Sequence, residues 1–304
     1  MGKRALLFPG QGSQSVGMAK DLYDNSVEAK EMIRMADSVL GINLSQIMFY
    51  GPEEELKQTA FTQPAIFLHS VVAASLLRTL DFDGAAGHSL GEYSALTICG
   101  AMQFQDAIKL VRARGAAMQM AGTKNNGTMA AIMGIDNDKL IKICEEASGA
   151  GIVQCANFNS PGQIVISGSK GGVLKAMELA KSSGAKLVKE LVVSGAFHSP
   201  LMQPAEKILI AALNEANIYD SRKPVYANVT AKAVSEKAEI KNLLLKQLLA
   251  PVKWDETIRN MVADGFTEFV EVGPGKVLQG LCKRIEPKVI CSGIEKFTDL
   301  EKYL

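Results

Sequence analysis

With 304 residues, of which 47% are hydrophobic, the chain is long enough to form one large domain or two of ordinary size around a substantial core. Its 33 basic and 32 acidic residues give a formal net charge of +1 and are scattered, which argues against a nucleic-acid or membrane surface. Five widely spaced cysteines without a C-x-x-C pair favour neither a zinc site nor a disulfide scaffold, and indicate a reducing, cytoplasmic setting. The sequence predicts no signal peptide and no segment that spans a bilayer.

The first 123 residues alternate between strand and helix patterns. The chain opens with a buried strand and a glycine-rich loop, ALLFPGQGSQ, and continues with helical spacing that breaks near Asn25. After an acidic helix start and a predicted break at Pro64 comes a strongly apolar helix, AIFLHSVVAASLLRTL. A strand and turn around Ser89 lead into two helices, EYSALTICGAM and QFQDAIKLVRARGAAMQMAG. This alternation is typical of a mostly parallel sheet covered by helices on both faces.

Residues 124–194 follow a different pattern, in the order strand, helix, strand, strand, helix, strand. That order is the βαββαβ unit of ferredoxin-like domains. We therefore predict an α/β protein in which residues 1–123 and 195–304 form a large domain with a parallel sheet, and residues 124–194 form an inserted small domain. The remaining large-domain elements are a helix from AFHSPLM, a strand at PVYANV, two helices that part at Pro251, a strand at FTEFVEVGPG and a closing helix, KVLQGLCKRI.

The stretch GHSLG places Ser89 in the G-x-S-x-G pattern of a tight strand-to-helix turn. The pattern fits a reactive serine, and it also fits an ordinary serine in a glycine-flanked loop. A reactive serine needs a base, and the chain has only three histidines. We expect His69 to be a helix residue of the core, and His88 to support the turn, because adjacent side chains diverge. By elimination His198 is the candidate base, at the junction of the two predicted domains where a cleft would form. Its position near a helix start is an alternative explanation for this histidine.

An acidic third member of a catalytic triad has no evident candidate. None of the nearby acidic residues stands at the end of a predicted sheet strand; those considered are Asp106, Asp136, Asp138 and Glu190. A dyad whose histidine is oriented by a backbone carbonyl or an amide side chain fits better. The oxyanion would be held by the amide of Leu90 and a second amide from the loop at residues 9–14, whose glycines permit close approach. That loop matches neither a P-loop nor a dinucleotide fingerprint.

Two arginines on the helix LVRARGAAMQM raise the question of a substrate carboxylate. Arg112 and Arg114 lie nearly opposite one another on a helix, so at most one faces inward. An arginine buried at a cleft would bind a carboxylate through two parallel hydrogen bonds. The alternative is that both side chains extend to solvent.

Eight stretches together resemble the malonyl-CoA:acyl carrier protein transacylases and the related acyltransferase domains of fatty-acid and polyketide synthases. In chain order these are FPGQGSQ (8–14), TQPAIF (62–67), GHSLGEYSAL (87–96), R-x-R-G (112–115), NFNSPGQIVISG (157–168), FHSPLM (197–202), QLLAPVKW (247–254) and EVGPG (271–275). The resemblance implies an α/β-hydrolase-like large domain, a ferredoxin-like small domain and a site between them.

The resemblance also implies roles for individual residues. Ser89 would be the nucleophile and His198 its base, with the backbone carbonyl of Gln247 orienting the imidazole in place of an acid. The amides of Gln11 and Leu90 would form the oxyanion hole.

The same resemblance indicates which acyl group is selected, through three further positions. Arg114 would pair with the free carboxylate of the malonyl group. In synthase domains a phenylalanine before the histidine accompanies malonyl selection, and Phe197 fits. Gly195 departs from the histidine common in those domains, so this specificity rule carries over only in part.

The implied activity is transfer of a malonyl group from malonyl-CoA to the phosphopantetheine thiol of acyl carrier protein, in fatty-acid or polyketide biosynthesis. Malonyl-CoA is then a substrate, and we expect no cofactor, no metal and a monomer. Exposed basic residues near the cleft would meet the acidic carrier, and Lys186, Lys189 and Arg284 are candidates. Two other functions remain open: a serine esterase or thioesterase with an essential acidic partner, and an inactive module that binds a carrier protein.

Overall fold

The structure, a computed structural model, describes residues 2–77 and 79–303, without the side chain of Lys302. Its first part contains two strands and seven helices within these residues. They are β1 (Lys3–Phe8), α1 (Lys20–Asn25), α2 (Val27–Leu40), α3 (Leu44–Tyr50), α4 (Glu53–Leu56), α5 (Thr59–Ser75), β2 (Gly84–Gly87), α6 (Gly91–Ile98) and α7 (Phe104–Lys124).

The middle of the chain has the strand and helix order predicted from its sequence. Its elements are β3 (Gly127–Met133), α8 (Asn137–Ala147), β4 (Val153–Ser160), β5 (Gln163–Ser169), α9 (Lys170–Ser182) and β6 (Leu187–Leu191). The last part completes the fold with α10 (Gln203–Glu215), β7 (Val225–Tyr226), β8 (Ala233–Val234), α11 (Lys237–Gln247), α12 (Trp254–Ala263), β9 (Phe266–Val272), α13 (Val277–Ile285), β10 (Ile290–Ile294) and α14 (Phe297–Leu300).

Six strands form a sheet in the order β10-β9-β1-β2-β7-β8. The first five are parallel, and only β8 runs antiparallel to its neighbour. Along β1, Leu6 and Phe8 join the core that contains α5 and α7, whereas Ala5 and Leu7 join the core beneath α12 and α13. Both faces of the strand are therefore buried, which explains its unbroken apolar run.

Four strands form a separate antiparallel sheet in the order β4-β5-β3-β6. Helices α8 and α9 pack on one face through a core of their own. The opposite face turns toward the six-stranded sheet and contributes Met129, Val165 and Leu191 to a cavity between the two. The free edge of β4 pairs with the segment after α11, since Val252 donates to Ala156 at 2.8 Å. This pairing joins the two halves of the molecule.

The predicted helix break at Pro64 is wrong, because α5 continues through this residue from Thr59 to Ser75. Proline lacks the N–H that would bond the carbonyl four residues earlier. In this structure that carbonyl, of Ala60, accepts a hydrogen bond from the guanidinium of Arg112. The side chain supplies the donor that the proline lacks, so the helix remains intact at this point.

Several short elements were not predicted from the sequence. Helix α3, the two-residue strand β8 and the elements after α13 are absent from the sequence prediction, which ended the fold with a closing helix. Strand β10 instead extends the parallel sheet beyond β9. Within residues 2–77 and 79–303, no helix combines the length and apolar character needed to cross a membrane.

Candidate active site

Ser89 sits between β2 and α6 in a backbone conformation with φ of +51°. A non-glycine residue in this left-handed region is uncommon and marks local strain. The flanking glycines make the turn possible: a Cβ atom at Gly87 would lie 1.9 Å from the carbonyl carbon of Gly91, and one at Gly91 would lie 2.0 Å from the oxygen of Phe8. A larger residue at Gly87 would collide with the start of α6, and one at Gly91 would push the serine turn away from β1.

His198 lies beside Ser89, as the elimination among three histidines predicted. Its Nε2 is 2.8 Å from Ser89 Oγ, and its Nδ1 is 2.9 Å from the carbonyl oxygen of Gln247. A carbonyl oxygen only accepts hydrogen bonds, so Nδ1 carries the proton and Nε2 of the neutral ring is free to accept the serine hydroxyl. His198 also has a left-handed backbone, with φ of +55°.

The imidazole of His198 is held in its neutral form. Burial, and then the positive charge of Arg114, lower the pKa of His198 to about 3. The ring is therefore unprotonated at neutral pH, which is the state that a general base requires.

Arg114 is 1% exposed and points toward Ser89, so of the two helix arginines it is the one that faces inward. Its guanidinium donates to Gln63 Oε1 at 2.7 Å, to Gln247 Oε1 at 2.9 Å and to Ser89 Oγ at 3.2 Å. Its Nε is buried without a partner, and among the described residues no carboxylate forms an ion pair with this side chain. Burial lowers the pKa of Arg114, and this effect outweighs the opposing influence of the nearby Tyr93 and Glu92.

A cavity of about 290 Å³ lies in front of Ser89 and His198. The loop after β1 forms part of its wall and lies close to the serine turn, because a Cβ at Gly10 would be 2.5 Å from the carbonyl oxygen of His88. The predicted oxyanion-hole residues Gln11 and Leu90 both line this cavity. Phe197 lines it as well and is 7% exposed.

The other two histidines stand apart from the serine hydroxyl, as expected. His69 is buried in α5, with Nε2 2.8 Å from the carbonyl oxygen of Glu295. The His88 ring turns away from the hydroxyl of its neighbour: its Nε2 is 2.8 Å from Asn159 Oδ1, and the ring packs against Trp254.

Residues 5–286 match the acyl transferase domain family. The chain belongs to this family. It is 46% identical over 294 residues to the malonyl CoA-acyl carrier protein transacylase of Bacillus subtilis, covering 95% of this chain and 92% of the relative. It also superposes on the acyl-carrier-protein S-malonyltransferase of Bartonella henselae with a TM-score of 0.95 and 40% identity, covering 99% and 98% of the two chains. A malonyl-transacylase solved in complex with its type II polyketide synthase acyl-carrier protein matches with a TM-score of 0.95 and 39% identity, covering 99% of each chain.

Sequence reasoning missed three polar residues that surround Ser89 and His198 in this acyl transferase. Gln63 accepts from Arg114, and Asn228 Oδ1 accepts from the backbone amide of Ser89 at 2.7 Å. Glu92 Oε2 accepts from Gln247 Nε2 at 2.8 Å and from the backbone amide of Asn228 at 2.9 Å. Their positions offered some signal: Gln63 and Glu92 fall inside the quoted stretches TQPAIF and GHSLGEYSAL, and Asn228 follows strand β7.

Glu92 gives the acyl transferase a testable pH dependence. Burial raises the pKa of Glu92 from 4.5 to about 7, against the hydrogen bonds from Asn228 and Gln247. Between pH 4.5 and about 7 the Glu92 carboxyl keeps its proton in the folded protein, whereas the unfolded chain releases it. The unfolding free energy of the wild type therefore falls as pH rises through this range. The Glu92→Gln variant cannot titrate at this position. We therefore expect the unfolding free energy of the variant minus that of the wild type to increase by about 2–3 kcal/mol between pH 4.5 and pH 8. Urea unfolding at both pH values measures this difference.

The exposed Glu239, in the first turn of α11, supplies the control. The Glu239→Gln variant measures how much of any change in stability comes from replacing an exposed carboxyl. If Glu92→Gln kept a constant difference from wild type at the two pH values, its carboxyl would titrate alike in the folded and unfolded states, contrary to this expectation.

Proposed function

We propose that this chain transfers the malonyl group of malonyl-CoA to the phosphopantetheine thiol of an acyl carrier protein, through a malonyl ester of Ser89. The observation that carries the proposal is the buried guanidinium of Arg114, which lies 3.2 Å from Ser89 Oγ and whose side-chain hydrogen-bond partners among the described residues are the neutral Gln63, Ser89 and Gln247. A malonyl thioester carries a free carboxylate close to the carbonyl carbon that the serine would attack. The names of the relatives from Bacillus subtilis and Bartonella henselae support the same activity.

The first half-reaction forms the malonyl ester. Nε2 of His198 takes the proton of Ser89 as Oγ attacks the thioester carbonyl carbon. The amides of Gln11 and Leu90 hold the oxyanion of the tetrahedral intermediate, and Leu90 is well placed for this because it immediately precedes α6. The carbon–sulfur bond then breaks, and the imidazolium returns its proton to the departing thiolate of CoA.

The second half-reaction repeats these steps with a different nucleophile. The phosphopantetheine thiol gives its proton to His198 and attacks the ester of Ser89. The collapse of the second oxyanion breaks the ester bond, and the imidazolium protonates the serine oxygen. Throughout both halves, the Gln247 carbonyl fixes the proton on Nδ1 so that Nε2 faces the reacting atoms.

We also propose that the two sheets correspond to two domains, a discontinuous α/β-hydrolase-like domain at 1–123 and 195–304 and a ferredoxin-like domain at 124–194. The strand order β4-β5-β3-β6 and the two helices on one face support the second assignment. The serine turn after β2 of a mainly parallel sheet supports the first.

The setting proposed for the enzyme is the cytoplasm, where it acts as a monomer without a cofactor or a metal. All five cysteines are free thiols, which supports a reducing compartment, and the side chains and amides that the enzyme supplies to the proposed mechanism all come from one chain. The carrier would approach the cavity from the side of Arg284, which donates to the cavity-lining Gln163. Lys186, which directly precedes β6, and Lys189, within β6, are exposed and remain further candidates for this contact.

Replacing Arg114 tests the proposed substrate. We expect Arg114→Ala to lower malonyl transfer to a carrier protein by roughly 100-fold or more, because a buried carboxylate loses its charged partner. Acetyl transfer should change far less, since the acetyl group has no carboxylate. Steady-state kcat/KM values for malonyl-CoA and acetyl-CoA measure the ratio.

Arg112 is the matched control, since it lies on the same helix but donates to the carbonyl of Ala60. An Arg112→Ala variant should keep the malonyl preference of the wild type. An unchanged malonyl-to-acetyl ratio in Arg114→Ala would remove this arginine from substrate recognition. Release of CoA at equal rates with and without a carrier protein would favour the esterase or thioesterase alternative.

A further inference from the structure

Gln154 lies on β4, the edge strand of the four-stranded sheet, and its side chain reaches across to the other half of the molecule. Its Nε2 donates to the carbonyl oxygen of His198 at 2.8 Å and to that of Leu249 at 3.1 Å. A primary amide nitrogen has two hydrogens, so both are used. Among the described residues, no other donor bonds either carbonyl.

The two carbonyls belong to the two segments that determine where the imidazole lies. His198 is in the irregular loop between β6 and α10, and its left-handed backbone is an unfavourable conformation that surrounding contacts must hold in place. Leu249 closely follows Gln247, whose carbonyl accepts the Nδ1 hydrogen bond of the ring. One amide side chain therefore connects the histidine with the segment that orients it.

The backbone register shows how Gln154 comes to this position. Beside it, β4 pairs with the segment after α11 through a parallel bridge between Asn157 and Val252, and Phe158 donates to Val252 at 2.9 Å. Counting back the same number of residues along both segments brings Gln154 opposite Leu249. At this point the Gln154 side chain, in place of a backbone N–H, donates to the Leu249 carbonyl, and it donates to the His198 carbonyl as well.

We propose that Gln154 is a positioning residue, which clamps the His198 loop to the segment after Gln247 and so places the imidazole against Ser89. The proposal rests on the proposed function only in taking His198 as the base of this serine. It also explains why the residue is a glutamine: a carboxylate of the same shape has no hydrogen to donate and would repel both carbonyl oxygens.

A fluorophosphonate ester that phosphonylates reactive serines tests the proposal without the natural substrate. Ser89 Oγ forms a bond to phosphorus, fluoride leaves, and His198 takes the serine proton. We expect Gln154→Leu to lower the maximal labelling rate constant at least about tenfold, with the half-saturating probe concentration within about twofold of wild type. Gln154→Glu should be slower than Gln154→Leu. Malonyl transfer should follow the same pattern, with kcat reduced, KM nearly unchanged and the malonyl-to-acetyl ratio retained.

The following controls separate a positioning role of Gln154 from a loss of folding. Irreversibly misfolded molecules lower only the amplitude of labelling, and the folded fraction measured by circular dichroism corrects the rate constant for reversible unfolding. The exposed Gln103, whose side chain makes no capping bond to α7, supplies the control Gln103→Leu, expected to label at the wild-type rate. Labelling of both Gln154 variants within twofold of wild type would overturn the proposal. A wild type that labels at Ser89 but transfers no malonyl group would refute the proposed function instead, and the Gln154 comparison would still stand.

Discussion

We expect the Ser89→Ala variant to lose malonyl transfer by roughly four to six orders of magnitude, because Ser89 supplies the hydroxyl that bonds His198 Nε2 and would form the acyl ester. The loss should fall on kcat, since the arginine and the cavity that bind malonyl-CoA are left in place. Mass spectrometry after brief exposure to malonyl-CoA measures the same prediction directly: the wild type should gain one malonyl group on the peptide that contains GHSLG, and the variant should gain none.

Ser94 offers a control on the following helix, since its hydroxyl is buried and has no partner among the described residues. A Ser94→Ala variant should fold and transfer malonyl groups at close to the wild-type rate. A malonyl group mapped to any residue other than Ser89, or retained in Ser89→Ala, would contradict the proposed intermediate.

The second large effect concerns the base. Replacing His198 with alanine should reduce kcat by at least about four orders of magnitude, because Ser89 then has no group to take its proton. Residues that act as one unit are not additive, so the double variant with Ser89→Ala should be no slower than either single variant. Steady-state kinetics on all three proteins measures this.

Replacing His69 shows the effect of losing an imidazole that does not contact Ser89. The His69 side chain is buried and, within the part of the chain that the structure describes, bonds only the backbone carbonyl of Glu295, so His69→Gln should alter the midpoint of thermal unfolding more than kcat. Substantial transfer by His198→Ala would mean that another group deprotonates the serine, and the dyad would have to be abandoned.

The pairing of Ser89 with His198 could be predicted because the chain has only three histidines and because glycines flank the serine. The surrounding network could not. The family resemblance implied the backbone carbonyl of Gln247, but not the contacts of its side chain with Arg114 and Glu92, because a sequence without coordinates shows neither burial nor which polar groups meet. Gln154 is harder still to anticipate, since its two partners are backbone atoms from distant segments.

The fold shows the same division between local and long-range information. The order of elements at 124–194 follows from short-range periodicity and was predicted fully. The break predicted at Pro64 followed a sound local rule, and it failed because Arg112 supplies a donor from another helix. Strand β8 contains only two residues, too few for alternation to be recognised.

Both residues of the proposed dyad, Ser89 and His198, are held in the left-handed region of backbone space, where each non-glycine residue costs on the order of 1 to 3 kcal/mol. Favourable interactions elsewhere in the protein have to offset this free-energy cost in every folded molecule, including those that are not catalysing a reaction. Selection for thermal robustness alone would favour glycine at these two positions, and selection for chemistry forbids it. Substitutions that raise the thermal stability should therefore lie on surfaces remote from the turn at Ser89 and the loop at His198.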